Sequence, residues 1–153
     1  MIELAPVGHV VGGRLEPIDD EWGQVEAVIA LDTTRFDEDA VAGLDAFSHL
    51  VVVFQFHLVD ESAVQSGARH PRGNTDWPRV GMFAQRAKMR PNRLGVSNCE
   101  LLGVEDLDLL VRGLDAVDGT PVLDVKPFMS AFEPASESVH QPVWATELMQ
   151  GYY

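Results

Sequence analysis

Hydrophobic residues in this chain cluster in short runs that alternate or fill consecutive positions, as in β-strands. Residues 49–59 form the longest run, and nearly every position from Leu50 to Phe56 is β-branched or aromatic. This run predicts a strand that is covered on both faces or that lines a barrel. In residues 24–31 the alternation predicts a strand with at least one buried face. Shorter strands are expected at residues 80–84, 94–104, 107–115 and 121–126.

Helical signals are few and short. We predict one short helix at residues 38–44 and a last helical turn at residues 147–151. Strands at close intervals, separated by Gly, Asp and Pro, favour a mainly β fold: a small single-domain β-barrel of about six to eight strands with short helices. The longest irregular stretch, residues 60–79, has a length that in compact domains is typical of functional or mobile loops.

The length and composition are those of an ordinary globular domain. With 153 residues, 46% hydrophobic and 23% charged, we expect one domain over residues 1–153. No apolar run approaches the roughly 20 residues of a membrane helix, and the first residues lack the pattern of a signal peptide. The single cysteine, Cys99, excludes an internal disulfide and is expected to be a buried, inert thiol. These features predict a cytoplasmic protein that does not bind membranes.

Positive charge is concentrated in one part of this acidic chain. Residues 69–93, which we call the basic segment, carry a formal charge of +6, whereas the rest of the chain carries −19. This separation predicts a surface that binds an anion: a phosphate, a carboxylate or a nucleic-acid backbone. Only Asp76 opposes the seven basic residues of the segment, which are Arg69, Arg72, Arg79, Arg86, Lys88, Arg90 and Arg93.

The densest part of the basic segment, residues 86–95, is interrupted by Pro91 and Gly95, which favours a shaped loop over an exposed helix face. Such loops often direct backbone N–H groups at an anion, although the arginines would equally pair with surface carboxylates in so acidic a chain. His57, at the end of the most apolar strand, fits either a hydrogen-bonded rim histidine or a working group. The residues alone indicate an anion-binding, β-rich domain.

Five motifs follow one another along the chain, at residues 42–50, 54–57, 80–86, 90–97 and 118–127. In content and order they resemble the TsaA-like family, also described as TrmO-like. The resemblance covers roughly residues 7–128 and leaves residues 129–153 as a C-terminal tail. Its motifs are long and ordered, so it is more specific than a lone glycine fingerprint.

The resemblance implies an S-adenosyl-L-methionine-dependent methyltransferase on a small β-barrel, without the glycine fingerprint of a Rossmann sheet. The implied reaction methylates N6 of threonylcarbamoyladenosine beside the anticodon of certain tRNAs. The resemblance also implies a homodimer with the cofactor site near the subunit interface. No DNA partner and no metal are implied.

The resemblance implies functional roles for the residues of this sequence that match the functional positions of the family. Seven positions are implied to bind the cofactor: Gln24, His57, Leu58, Arg86, Leu94, Leu114 and Asp115. Four are implied to form the catalytic, acceptor side of the site: Arg90, Asn92, Asp118 and Thr120.

The implied roles follow the chemistry of methyl transfer, in which alignment of donor and acceptor supplies much of the catalysis. Arg86 is expected to clamp the cofactor carboxylate, and Asp115 or Asp118 to hold its ribose or ammonium group. Asp118 or His57 is expected to accept the proton of N6. Arg90 is expected to meet the threonyl carboxylate or a backbone phosphate.

The sequence is also compatible with two alternative functions. The first keeps the cofactor and replaces tRNA by a small metabolite that carries a carboxylate or an amide. The second is a non-catalytic module that senses the cofactor or another nucleotide. Both alternatives accommodate the net charge of −13, which is unfavourable for wrapping RNA.

Overall fold

The computed structural model describes all 153 residues, and its main feature is a closed antiparallel barrel of six strands. The barrel order is β1-β2-β7-β6-β3-β8, with a separate two-stranded sheet of β4 and β5. The predicted mainly β barrel is thereby confirmed. The elements are β1 (Gly8–Val11), β2 (Glu26–Leu31), β3 (His49–Gln55), β4 (Ala68–Arg69), β5 (Val80–Gly81), β6 (Leu94–Glu105), β7 (Asp108–Arg112), β8 (Pro121–Pro127) and α1 (Val143–Leu148).

The barrel interior is filled by alternate residues of its strands, because successive side chains on a strand point to opposite faces. On β3, Leu50, Val52 and Phe54 are buried, whereas the residues between them are half-buried on the outer face. Of the two predictions for this strand, the one that lines a barrel is therefore the right one. The core cluster contains Val10, Ile29, Leu50, Val52, Phe54, Cys99, Leu109, Val111, Leu114, Ala116 and Val122.

Several boundaries differ from the sequence-based expectations. The strand β1 was not predicted, since its four residues include Gly8 and His9 and form no apolar run. The strand expected at residues 80–84 ends at Gly81 and continues as a 3₁₀ turn. The helix expected at residues 38–44 is instead a 3₁₀ turn at Glu38–Val41, which ends at Ala42, and a second at Leu44–Ala46, which is preceded by Gly43 in a left-handed conformation (φ 83°). The final helix begins at Val143, earlier than expected, and none of the helices has the length and apolar character needed to cross a bilayer.

The antiparallel pairing places particular loops at the same end of the barrel. Gln55 at the end of β3 pairs with Leu94 at the start of β6, and Glu26 at the start of β2 pairs with Arg112 at the end of β7. The end of β1 meets the start of β8 in the same way. We call this end of the barrel, where β1, β3 and β7 finish and β2, β6 and β8 begin, the site rim.

The opposite end of the barrel is acidic. It is formed by the β2–β3 connection and the β6–β7 hairpin, which together line a shallow groove with Asp37, Glu38, Asp39, Asp106 and Asp108. The basic segment, in contrast, lies between β3 and β6 and emerges at the site rim. The acidic groove and the basic segment thus lie at opposite ends of the barrel, and Asp19, Asp20 and Glu61 pair with part of the basic segment at the site rim.

Candidate functional site

The topology brings all eleven predicted site residues to the site rim. Gln24 precedes β2, while His57 and Leu58 follow β3. Leu114 lies just after β7, at the start of the connection to β8. Residues far apart in the sequence therefore share one end of the barrel. The others are Arg86, Arg90, Asn92 and Leu94 before or at the start of β6, and Asp115, Asp118 and Thr120 between β7 and β8.

Asp115 is the centre of a hydrogen-bonded cluster at this rim. Its Oδ1 accepts a hydrogen bond from the Ser97 hydroxyl on β6, and its Oδ2 accepts one from the Tyr152 hydroxyl near the C-terminus. The carboxylate is half-buried, and Tyr153 packs beside the same group. Neither Ser97 nor Tyr152 was predicted. Tyr152 lies outside the region of resemblance. Its only signal in the sequence is that it forms an aromatic pair with Tyr153.

Gln24 is exposed at the end of the loop between β1 and β2, and contacts of Arg14 and Trp22 hold this loop in place. The Arg14 guanidinium donates hydrogen bonds to the carbonyls of Asp20 and Glu21 and lies 4.6 Å from the centre of the Trp22 ring. Trp22 is buried and donates its indole N–H to the Ile18 carbonyl over 3.0 Å. Trp22 therefore anchors this loop from inside, which presents Gln24 beside the Asp115 cluster.

The packing of two glycines connects the Gln24 loop to that cluster. A Cβ atom on Gly23 would lie 2.7 Å from the backbone carbonyl carbon of Tyr153, so only glycine fits there. The Gly113 N–H donates to the Val25 carbonyl over 3.0 Å, directly before Leu114 and Asp115. These contacts place Gln24, Leu114 and Asp115 in one neighbourhood.

Arg86 is exposed and only partly engaged. Its Nη2 donates to the Val96 carbonyl over 2.6 Å, and no carboxylate oxygen lies within 4.0 Å of it. Its positive charge is close enough to Tyr153 to act on the pKa of that phenol, although burial dominates and raises this pKa to about 12. The remaining donors of this guanidinium are thus available to an anion beside Asp115.

The loop at residues 90–93 is shaped as predicted, with a backbone that few residues adopt. Asn92 and Arg93 both have left-handed conformations, with φ values of 63° and 53°. Asparagine tolerates this region, but arginine there is strained. Arg93 is held by its carbonyl, which accepts from Phe56 N–H over 2.8 Å, and by its Nη1, which donates to the Val59 carbonyl over 2.7 Å. This strained turn fixes the place where Arg90 and Asn92 are presented.

His57 and the β7–β8 turn form a second cluster at the rim. A Cβ atom on Gly119 would lie 3.7 Å from His57 Nε2, so the imidazole sits against this turn. Asp118 Oδ1 accepts from the Gly12 N–H over 2.8 Å. Burial lowers the pKa of His57, and the charge of His9 lowers it further, whereas Asp118 raises it. The neutral imidazole is consequently favoured, which is the form able to accept a proton.

Two predicted residues contribute through packing and backbone geometry rather than through exposed functional groups. Thr120 is 2% exposed, and its hydroxyl donates to the Val117 carbonyl over 2.7 Å. Leu114 is also buried in the barrel core. Leu58, in contrast, is 58% exposed and lines a groove of about 620 Å³ together with His57 and Arg93. Leu94 is half-buried at the start of β6.

The basic segment is partly neutralised by neighbouring carboxylates. Arg72 pairs with Asp20 at 2.9 Å, Lys88 approaches Asp19 at 4.0 Å, and Arg93 approaches Glu61 at 3.4 Å. Pairing with surface carboxylates, one of the two expectations for this segment, holds for these three residues, whereas anion binding by the others stays a prediction. The four without a carboxylate within 4.0 Å are Arg69, Arg79, Arg86 and Arg90.

Comparison with known proteins assigns the family. The profile of the family described as the tRNA-methyltransferase O N-terminal domain matches residues 17–134. The chain belongs to this family. The resemblance inferred from the motifs is confirmed.

Relatives of known name and structure agree with this assignment. The tRNA (adenine(37)-N6)-methyltransferase of Escherichia coli is 43% identical over 119 residues, which are 72% of this chain and 49% of that protein. A "Probable S-adenosyl-L-methionine-binding protein" of Methanothermobacter thermautotrophicus is 43% identical over 90 residues, 59% of this chain and 61% of that protein. The crystal structure of TrmO from Pseudomonas aeruginosa superposes with a TM-score of 0.73 at 27% identity, covering 91% of this chain and 61% of that one.

The chain spans about half the length of the bacterial relatives that it matches, 49% of one and 54% of another. The residues that match the family profile, 17–134, contain every predicted site residue and five of the six barrel strands, all but β1.

Proposed function

We propose that this domain is an S-adenosyl-L-methionine-dependent methyltransferase that modifies N6 of threonylcarbamoyladenosine next to the anticodon of tRNA. The observation that carries the proposal is the convergence on one rim of the barrel of the eleven residues that the resemblance implied. Membership of the tRNA-methyltransferase O family supports the reaction, and the names of the relatives support the cofactor. We also propose that the protein acts as a homodimer in the cytoplasm.

The groups at the rim fit the chemistry of this cofactor. S-adenosylmethionine carries a carboxylate, an ammonium group and ribose hydroxyls, and it supplies an electrophilic methyl group on a sulfonium. The open donors of Arg86 fit the carboxylate, and the Asp115 carboxylate has lone pairs left to accept from a hydroxyl or ammonium. Leu58 offers an exposed apolar surface on the same rim for an aromatic base. Gln24 lies beside the Asp115 cluster with its amide exposed.

The second cluster fits the acceptor side. His57 has a lowered pKa and stays neutral near physiological pH, so its imidazole is able to take the N6 proton. Asp118 is held by the Gly12 N–H and stabilises the imidazolium that such a transfer would create. Arg90, whose Nη1 donates to the Gln85 carbonyl over 2.7 Å, keeps further donors for the threonyl carboxylate or a phosphate.

Charge distribution supports tRNA as the partner despite the net charge of −13. The basic segment emerges at the site rim, and the acidic groove lies at the other end of the barrel. The arginines without a carboxylate partner therefore lie at the end where a polyanion would meet the predicted site, and the opposite end would repel it. In a homodimer two basic segments would contribute to one binding face.

A second candidate function is methylation of a small acceptor that carries a carboxylate. The pairing of Arg72, Lys88 and Arg93 with carboxylates favours it, because it leaves fewer charges to neutralise a nucleic-acid backbone. Ionic strength separates the two functions. Binding of tRNA weakens steeply with salt, whereas turnover of a small acceptor depends on it weakly.

The deciding experiment measures transfer of a labelled methyl group to total tRNA from a strain that lacks this protein, after titration calorimetry with S-adenosylmethionine. The proposal requires cofactor binding and label in a single tRNA nucleoside. Cofactor binding with no label in tRNA would instead favour the small acceptor or a sensor. The proposal is wrong if the cofactor does not bind.

A further inference from the structure

The C-terminal segment, residues 143–153, folds back onto the site rim. The Glu21 N–H donates to the Gly151 carbonyl over 2.9 Å, and the Trp22 N–H donates to the Tyr152 carbonyl over 2.7 Å. These bonds join the segment to the loop that presents Gln24. The segment therefore forms one side of the neighbourhood that contains Asp115.

A separate contact docks α1 onto the loop between β4 and β5. The Trp77 indole N–H donates to Glu147 Oε2 over 2.7 Å. Glu147 lies only five residues before Tyr152, but this bond involves neither Asp115 nor Ser97. Docking of the helix is thus separable by mutation from the contact with Asp115.

Tyr152 makes the contact that bears on the site. Its hydroxyl donates to Asp115 Oδ2, while Ser97 occupies Oδ1. A carboxylate offers about four lone-pair positions, so two remain after these bonds are made. Because each oxygen is held by a different element, the plane of the carboxylate is fixed and its free lone pairs have a set direction.

The Tyr152 phenol is suited to act as a hydrogen-bond donor over a wide pH range. Burial raises the pKa of Tyr152, and the neighbouring Asp115 raises it further. The hydroxyl therefore keeps its proton throughout the physiological pH range and remains able to donate to the carboxylate.

We propose that Tyr152 is a positioning residue of the cofactor site, which aims the Asp115 carboxylate at a hydroxyl or ammonium group of S-adenosylmethionine. Tyr152 lies beyond residues 17–134, where the family profile matches, so the site is completed by a segment outside that match. The inference rests on the proposed function, since it requires that Asp115 contacts the cofactor.

The test is titration calorimetry of the full chain with S-adenosylmethionine. Tyr152→Phe keeps the ring and removes the hydroxyl, and we expect about tenfold weaker binding, because a carboxylate that is no longer held in place loses part of its charge-assisted hydrogen bond to the cofactor. Glu147→Gln, which weakens helix docking at Trp77, is the matched control and is expected to bind within about twofold of the wild type.

A double-mutant cycle separates positioning from simple support of the fold. If Tyr152 acts through Asp115, Tyr152→Phe should cost no additional affinity in an Asp115→Asn background. Ser97→Ala removes the other donor to the same carboxylate and should give the same pattern, so it replaces Tyr152→Phe in the cycle if that variant does not fold.

Each outcome bears on a different claim. Wild-type affinity in Tyr152→Phe, or an additive loss with Asp115→Asn, would overturn the role of Tyr152 while leaving the proposed function intact. A loss in Glu147→Gln as large as in Tyr152→Phe would also overturn it, because helix docking would then be the cause. Failure of the wild type to bind the cofactor would refute the proposed function and this inference with it.

Discussion

Gly95 on β6 lies directly beneath the ring of Phe54 on β3, and the two residues are partners on these neighbouring antiparallel strands. A Cβ atom on Gly95 would come within 2.5 Å of Phe54 Cζ and within 3.0 Å of Phe56 Cζ. Phe54 is 1% exposed and packs edge-on against Phe56, so its ring has no free space to move into. The bare backbone of Gly95 thus allows this aromatic pair to fill the barrel just below the site rim.

We predict that Gly95→Ala destabilises the protein by about 1–3 kcal/mol, the usual cost of overpacking a core. Chemical denaturation should show a lower midpoint. Gly103→Ala is the matched control on the same strand, because a Cβ atom there would meet nothing within 4 Å. Equal stability of the two variants would contradict the proposed role of Gly95.

The pKa of His57 should respond to its two charged neighbours in opposite directions. NMR titration of the ring should give a midpoint below the usual value of about 6.5. His9→Gln removes a neighbouring positive charge and should raise this pKa, whereas Asp118→Asn removes a negative charge and should lower it. An unchanged pKa in the Asp118→Asn variant would show that the two groups are not neighbours in solution.

The lowered pKa of His57 also makes the free energy of unfolding depend on pH. Because the folded pKa of His57 lies below that of the unfolded chain, the unfolded state takes up the proton first as pH falls. The contribution of His57 is therefore fully present above the unfolded value of about 6.5 and is lost as pH falls through the lower folded value. Denaturation of His57→Gln across this range should show a weaker loss of stability than the wild type.

Arg86→Ala should weaken binding of S-adenosylmethionine by roughly tenfold or more, the cost of removing a charge-assisted contact to its carboxylate. Calorimetry measures this directly. Arg35→Ala at the opposite end of the barrel is the control, since Arg35 is also exposed and donates to one backbone carbonyl, that of Pro6, over 2.7 Å. Unchanged affinity in Arg86→Ala would exclude Arg86 as the carboxylate clamp.

Cys99 should be unreactive in the folded protein. It is 3% exposed, and burial together with the nearby Asp115 raises the pKa of its thiol to about 12. Near neutral pH we expect alkylation only after addition of denaturant, measured by mass spectrometry. Rapid labelling of the native protein would mean that the barrel opens at β6.

Some of the fold was predictable because it depends on local chemistry. The near-continuous apolar run at residues 49–59 predicted a strand that is covered on both faces or lines a barrel, and Pro91 with Gly95 indicated a shaped loop. The strand β1 escaped prediction because its pairing with β2 and β8, rather than its own composition, makes it a strand. Short elements of this kind are stable only through their partners.

The candidate site, too, was only partly predictable from the sequence. The family resemblance named Asp115, Arg86 and His57 as candidates, and a basic segment in an acidic chain pointed to an anion. The positions of Ser97 and Tyr152 on either side of Asp115 could not be read from the sequence, because these residues are 18 and 37 positions away from it along the chain.

The sequence by itself determined a β-rich barrel, a basic segment and the family motifs, since side-chain chemistry and local order are properties of the chain. The closure of the barrel decided which residues meet. Antiparallel pairing brings the loops that precede β2, β6 and β8 to the same rim as those that follow β1, β3 and β7. It is this long-range pairing, and the return of Tyr152 to Asp115, that converts separate motifs into one site.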